Sequence, residues 1–334
     1  MPLTGETTYH DLLHGNITIA NAELEDQVII KRDGMPTYNF ANVIDDHLMG
    51  VTHIIRGEEF ITSTPKHVLL YQSLGWELPE FIHLAPVMGK NADGSTSKLS
   101  KRHGATSFDD LVQAGYLPEA IVNYVALLGW NPKNTNQEIF SLSELTAAFS
   151  LEGLSKSPAV FDAEKLAWVC GEYFKAMDKA EFAAKARPFA GELPAYLADK
   201  WDYVAALLQT RIARFGEIPA QIAFLVQMPQ FDAALYNNKR NKVTTAAALD
   251  ILPPVLELLA EVPADKWNND SLYEILNAHI ETTAYKKGQA LWPIRIAVAG
   301  QAATPGGATD ILYLLGQEES LRRLEQSLQN LRQG

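Results

Sequence analysis

The stretch from Val51 to Met88 limits the possible folds more than any other part of the chain. Val51-Thr52-His53-Ile54-Ile55-Arg56-Gly57 is a β-branched run of strand length. Ser63-Thr64-Pro65 then starts a helix, with proline in the first turn where its missing N–H is harmless. Val68, Leu69, Tyr71 and Leu74 form its apolar face, and Gly75 stops it. Phe81-Ile82-His83-Leu84 through Met88 is a second strand-like run. Strand–helix–strand at this spacing folds as a right-handed unit with two parallel, buried strands. Ligands bind such sheets at the carboxyl ends of the strands. Arg56 ends the first strand, and the polar loop Gly89–Ser97 leads from the second into Lys98-Leu99-Ser100-Lys101-Arg102, so both belong at that edge.

Around this unit the patterning changes twice. Residues 1–37 read as short strands and turns, with Gly15–Ile19 and Val28–Ile30 as β-type runs and Lys31-Arg32-Asp33-Gly34 as a turn. Phe40–Met49 reads as a helix. After Ser107 only helices are expected: Ser107–Ala114, Pro118–Leu128, Ser141–Ala148, Asp162–Phe174 with Asp162 as N-cap, then Pro194–Phe215, Thr244–Leu259, Asp270–Lys286, Asp310–Leu315 and Glu318–Leu331. The fold class expected is α/β, a partial Rossmann-type domain, followed by an all-α helical domain. The boundaries are 1–105, a helical connecting region 106–160, and 161–334.

Charge restricts the partners. The net charge of −12 argues against a generic nucleic-acid coat. Residues 1–150 carry 18 acids against 9 bases, whereas residues 151–334 carry 22 against 19, so focused basic clusters could meet phosphates in the second half. The single Cys170 permits neither an internal disulfide nor a cysteine-based zinc site. The first residues lack the basic and apolar regions of a signal peptide, and no apolar run has membrane-spanning length. A cytoplasmic protein with no membrane contact is the expectation.

Several residues could carry chemistry. The lysines of Lys98–Arg102 flank Ser100 in a loop, a pattern suited to neutralising a departing pyrophosphate, although a solvated basic loop has the same composition. Asp45-Asp46 invites a metal reading, but adjacent carboxylates on a helix face different ways, so a structural or nucleic-acid-proximal role is preferred. His10 and His14 are one helical turn apart but lack the further ligands of a metal site, so satisfied or exposed histidines are expected. Lys239-Arg240-Asn241-Lys242 and Lys286-Lys287 are basic clusters, and Arg211 and Arg214 are expected on one helix face.

Long ordered blocks add a resemblance. Pro36-Thr37-Tyr38-Asn39-Phe40-Ala41-Asn42-Val43-Ile44-Asp45-Asp46-His47-Leu48-Met49-Gly50, the run Val51–Phe60, Ser63-Thr64-Pro65-Lys66-His67 and Tyr71–Trp76 are similar to the second half of the catalytic domain of glutamyl-tRNA synthetases, a class I family. Lys98–Arg102 resembles that class's "KMSKS" signature loop. Ser155–Asp162 and Trp292-Pro293-Ile294-Arg295 also look like this family, and the resemblance covers about residues 8–330. It implies an ATP-dependent glutamate–tRNA ligase with a class I catalytic domain and a helical anticodon-binding domain. Its substrates are glutamate, ATP with Mg2+, and tRNA(Glu), with no zinc site in this chain.

The resemblance also implies roles. Tyr38, Asn42 and Arg56 match glutamate-holding positions, with Arg56 pairing a substrate carboxylate; an ion pair to Glu58 or Glu59 is its structural alternative. Glu59 and Met88 match positions beside ATP, Met88 through its backbone. Lys98, Ser100, Lys101 and Arg102 form the catalytic loop, with Lys101 on the ATP phosphates. Phe60 stands where many relatives have tryptophan. Arg295 falls on an anticodon-reading arginine, and Lys239, Arg240 and Lys242 are tRNA-binding candidates. The class's "HIGH" signature is not found in the chain, since His14-Gly15 does not qualify. The expectation is therefore a truncated or split form, inactive alone, with a separately encoded N-terminal half as partner. A non-catalytic tRNA-binding paralogue is the alternative, and an unrelated α/β phosphate-binding protein the remote one.

Overall fold

The computed structural model describes residues 1–104, 107–133 and 135–333, apart from the side chain of Lys101. The chain divides into two compact units, one of residues 1–111 and 118–166, the other of residues 112–117 and 167–334.

The first unit is α/β. In chain order it contains β1 (Glu6–Asp11), β2 (Gly15–Ala20), α1 (Tyr38–Leu48), β3 (His53–Gly57), α2 (Thr64–Leu74), β4 (Glu80–Leu84), β5 (Val87–Lys90) and β6 (Thr96–Lys98). Then come α3 (Phe108–Gln113), α4 (Pro118–Gly129), α5 (Leu142–Ala148) and β7 (Ala159–Val160). One sheet has the order β2-β1-β4-β3, and a second has the order β6-β5-β7. β3 and β4 are parallel, with Arg56 opposite His83. The expected strand–helix–strand unit is present, with α2 as its crossover. Gly75 caps α2 in the left-handed region at φ 70°, where a Cβ would be strained. Tyr9, Val68 and Phe81 form the small core between sheet and helix.

Four expectations for this unit are corrected. Phe81–Met88 is not one strand: the chain leaves the first sheet at Leu84, and β5 begins a different sheet at Val87. Pro86 lies at the break, where it has no N–H to give a ladder. Val28–Ile30 forms no strand, only an isolated bridge from Ile30 to Pro36 around the Lys31–Gly34 turn. His14-Gly15 lies at a hairpin end, and His10 is on β1, so the pair shares no helix face. The short β7 interrupts the helical region because Ala159 and Val160 add to the edge of β5.

The second unit is helical. The helix α6 (Ala163–Ala176) enters it, with Asp162 accepting from the amides of Glu164 and Lys165 as N-cap. It is followed by α7 (Lys179–Ala186), α8 (Ala195–Ala198), α9 (Trp201–Leu208), α10 (Ile218–Val226) and α11 (Thr245–Ala260). The last four are α12 (Asn269–Glu281), α13 (Lys287–Ala299), α14 (Ala308–Leu315) and α15 (Gln317–Gln333). Pro194–Phe215 is therefore not one helix. It breaks at Lys200, whose ammonium bonds the carbonyls of Tyr313 and Leu314 at the end of α14. Arg211 and Arg214 accordingly lie after α9, and Arg214 is extended at φ −155°, so they share no helix face. Asp270–Lys286 ends early, at Glu281.

Helix ends in this unit are closed by side chains from elsewhere in it. Arg323 on α15 is fully buried and donates to Phe224 and Leu225 at the end of α10 and to Val298 at the end of α13. Those carbonyls have no partner within their own helices, and a cation there also complements both helix dipoles. Trp201 adds a donor to the Ala183 carbonyl at the end of α7, which also accepts from Arg187 N–H, and Gln317 adds one to Leu259 at the end of α11, which also accepts from Val262 N–H.

Candidate functional site

Five elements of the first unit converge on Arg56. It sits next to last on β3, so strand register places it beside His83 of β4. Thr64 and His67 are three residues apart in the first turn of α2 and share the face turned to the sheet. Asn39 comes from α1, and Asp11 ends β1, which joins β4 through the Asp11–Phe81 register pair. Thr64, His67, His83 and Asp11 are 0–1% exposed.

The guanidinium is bonded on three sides by neutral acceptors. Its Nε donates to His83 Nε2 at 3.2 Å, its Nη1 to His67 Nδ1 at 3.1 Å, and its Nη2 to Thr64 Oγ1 at 2.5 Å. Its Cζ lies 5.2 Å over the Phe60 ring. Among the described residues Arg56 forms no salt bridge; Glu59, the expected internal alternative, pairs instead with Lys98 at 2.9 Å. Burial pushes the Arg56 pKa down, partly opposed by the nearby Tyr38, Tyr9 and Asp46, yet an arginine stays charged. The result is a desolvated cation beside the positive end of α2, a combination that attracts an anion.

The neighbouring polar groups leave room for one. Tyr38 is 60% exposed, with its ring 6.2 Å from Phe60. Asn42 on the same helix has a buried Oδ1 with no partner. Phe60 thus supplies the aromatic wall on which both Arg56 and Tyr38 rest. Asp46 is half-buried with its pKa raised, chiefly by burial, while Asp45 is exposed; the two carboxylates diverge as adjacent helical residues must. Among the described residues no group of three or more His, Cys, Asp or Glu side chains is placed to hold a metal.

A cleft of about 430 Å³ opens beside Arg56, lined by Gly57, Glu59, Leu84, Pro86, Val87 and Lys98 among others. Lys98 ends β6 and Met88 is its register partner on β5, so the hairpin carries both to this edge. The Met88 carbonyl already accepts from Phe161 N–H. The loop after Lys98 is held by His103: its Nδ1 accepts from Ser100 N–H at 3.0 Å, and its ring lies so close to Gly89 that a Cβ there would be 2.6 Å from it. Arg102 donates to Ser97 Oγ at 2.6 Å. The Lys101 side chain lies outside the described residues.

The second unit has its own basic site. Arg295 on α13 stacks 4.8 Å over Trp292, and its buried Nε has no partner. Burial, then the charge of Arg211, lowers its pKa. Trp292 donates to the Tyr236 carbonyl at 3.0 Å, which fixes the start of the tight loop Asn237–Val243 bearing exposed Lys239, Arg240 and Lys242. Lys242 takes a left-handed φ of 55°, rare for a residue with a Cβ. An arginine stacked on an aromatic face can bond a base edge through its terminal nitrogens, while the loop cations suit phosphates. Arg211 was grouped in sequence only with Arg214; its proximity to Arg295 appears only in three dimensions.

Comparison with known proteins finds relatives along nearly the whole chain. A family profile described as "tRNA synthetases class I (E and Q), catalytic domain" matches residues 1–168, and one described as "Anticodon binding domain" matches residues 181–328. A glutamate–tRNA ligase of Clostridium botulinum (strain Eklund 17B / Type B) is 46% identical over 333 residues, covering 99% of this chain and 67% of that protein. One of Clostridium novyi (strain NT) is 42% identical over 337 residues, with the same coverage. The crystal structure of a glutamate tRNA ligase from Elizabethkingia meningosepticum CCUG26117, in complex with its amino acid, superposes with a TM-score of 0.82 at 30% identity, covering 99% of this chain and 67% of that one. The glutamate-tRNA synthetase of Elizabethkingia anophelis gives 0.83 at 28% identity, covering 98% and 67%.

Proposed function

Because the chain belongs to the glutamate–tRNA ligase family of class I tRNA synthetases, we propose that its sites serve the attachment of glutamate to tRNA(Glu) using ATP. The glutamate α-carboxylate attacks the α-phosphorus of ATP and pyrophosphate leaves. The terminal ribose hydroxyl of the tRNA then takes the glutamyl group, and AMP leaves. The magnesium expected with ATP belongs to that substrate. The observation that carries this reading is Arg56, a desolvated cation whose three side-chain hydrogen-bond acceptors are all neutral.

Arg56 binds the glutamate side-chain carboxylate, with Tyr38 and Asn42 completing the pocket. Glu59 and the Met88 backbone border ATP. Lys98, Ser100, Lys101 and Arg102 act on its phosphates, where ammonium charge stabilises the departing pyrophosphate. Residues 1–105 are the catalytic part, 106–160 the connecting region and 161–334 the anticodon-binding domain. There Arg295 reads a base, while Lys239, Arg240 and Lys242 hold phosphates. A cytoplasmic setting fits a translation enzyme. No helix among the described residues is long and apolar enough to cross a membrane.

The chain spans 67% of the relatives' length, and we propose that these 334 residues alone do not activate glutamate. Turnover then needs a "HIGH"-bearing strand–helix unit, supplied as a separate polypeptide or as part of a longer one. The test is glutamate-dependent pyrophosphate exchange, measured on the chain alone and with such a unit from a relative. Exchange by the chain alone at the rate of a complete ligase defeats the requirement. No exchange in either arm, with no glutamate binding, defeats the ligase reading and favours a tRNA-binding paralogue. A pure binder, however, would have no use for the Arg56 pocket.

A further inference from the structure

Arg56 is held by two histidines, and hydrogen bonding fixes the tautomer of each. His83 Nδ1 lies 2.7 Å from Asp11 Oδ2, which also accepts the backbone N–H of His83 at 3.0 Å. Asp11 Oδ1 takes the amides of Leu13 and His14. A carboxylate so surrounded by donors accepts, so the His83 proton sits on Nδ1 and its Nε2 is bare towards Arg56. His67 shows the mirror arrangement. Its Nδ1 faces the Arg56 Nη1 donor at 3.1 Å and must accept, while its Nε2 lies 2.9 Å from Asn39 Oδ1. The His67 proton therefore sits on Nε2, and bare Nδ1 faces Arg56.

A guanidinium has five N–H groups. Three are taken by His83, His67 and Thr64, which leaves one on each terminal nitrogen, where the exposed Tyr38 hydroxyl also bonds the guanidinium. This is the fork a carboxylate fits. Had either histidine position carried an acid, the fork would be neutralised from within, and an amide would satisfy it as well as a carboxylate.

We infer that His83 and His67 are positioning residues, locked by Asp11 and Asn39 as neutral acceptors, that hold Arg56 without an internal counter-ion and so make the pocket select an anionic over an amide side chain. This deepens the proposed function and rests on Arg56 meeting the substrate side chain. The charged and titratable groups around the pair are Asp11 and Tyr9 on β1, His14 in the hairpin, Arg56 itself, and Tyr38 and Asp46 on α1. Burial first, then Arg56 and the facing histidine, pushes His67 down to about 4. Burial also lowers His83, against the opposing pull of Asp11.

The test has two arms on the full chain. Long-range proton–nitrogen spectra of 15N-histidine-labelled protein should show His83 protonated at Nδ1 and His67 at Nε2 at neutral pH. An imidazolium at either, or a reversed tautomer, overturns the inference. The second arm titrates glutamate and glutamine into the wild type and the isosteric pair His67→Gln and His67→Glu. His67→Gln keeps a neutral acceptor and should keep the glutamate preference. His67→Glu supplies the counter-ion and should reduce that preference by about tenfold or more, as expected for losing a charged hydrogen bond. An undiminished preference in folded His67→Glu also overturns it, and if that variant does not fold, the tautomers decide. Failure of the wild type to bind glutamate defeats the proposed function of the site, whereas the tautomer result stands independently.

Discussion

Arg56 and His83 are register partners on adjacent parallel strands, and the guanidinium Nε donates to the imidazole Nε2 at 3.2 Å. The sheet itself thus aims the cation, and the loops around it need only admit the ligand. Lysine cannot reproduce this, since it has no planar fork to share between His83, His67, Thr64 and a carboxylate. Arg56→Lys should weaken glutamate by about tenfold or more while leaving ATP affinity unchanged. Calorimetric titration checks this, and equal losses for both ligands would mean a general structural effect.

His67 links the site to pH. Its folded pKa of about 4 lies below the ordinary 6.5, so the unfolded chain binds the proton more readily between those values. The stability of the first unit from this group is therefore full above pH 6.5 and lost as pH falls towards 4, by up to about 3 kcal/mol. Denaturant unfolding across that range should show the loss, and His67→Gln should flatten it.

The approach of His103 to Gly89 predicts an effect on rate. Gly89→Ala must displace the imidazole ring that bonds Ser100, and with it the loop beginning at Lys98. In the complete ligase, pyrophosphate exchange should slow with little change in glutamate affinity, the split expected for an interaction used in the transition state. Lys101→Ala should behave likewise.

In the second unit, Arg295→Ala should narrow the difference in affinity between tRNAs bearing glutamate anticodons and others. Lys239→Ala should weaken all tRNAs alike and reduce the salt slope by about one. Filter binding over a range of salt separates the two. Equal behaviour of the variants would remove the base-reading role of Arg295.

Arg323→Met should be the costliest single change in this unit. It leaves three buried helix-end carbonyls without a donor and removes one partner of Glu319, for a loss of about 3–5 kcal/mol. Glu319 is held down to about 2 by the Arg322 hydrogen bond, against burial and with help from Arg323. That stabilisation is present above pH 4.5 and lost as pH falls towards 2, so acid unfolding should begin at higher pH in the variant.

Arg56 was legible in the sequence because a charge at the end of an apolar strand has few structural uses, and the crossover around it follows from Pro65 and Gly75. The residues that hold it were not. His83 lies in Phe-Ile-His-Leu and His67 on the buried side of α2, where each reads as a core residue. Nothing local shows that Asp11 will lie beside a strand 72 positions later. The signal available was polarity in the wrong place, two histidines at positions whose periodicity demands burial. The separate hairpin of β5 and β6 was hidden because an apolar run is indifferent to which sheet it joins; only Pro86 marked the division. In the helical unit the amphipathic pattern was legible, but the donors to the last carbonyls of α7, α10 and α13 arrive from other helices.

Arg323 gives the order of synthesis a physical meaning. Ribosomes deliver the chain from its N-terminus, and helices emerge well before their later partners. The ends of α10 and α13 are made before α15, and the guanidinium that closes both is encoded 99 and 25 residues after the carbonyls of Phe224 and Val298. Until then those carbonyls must remain hydrated, so the interior between them cannot dry. The core around these helix ends can therefore close only after α15 has been made, however early the helices before it form.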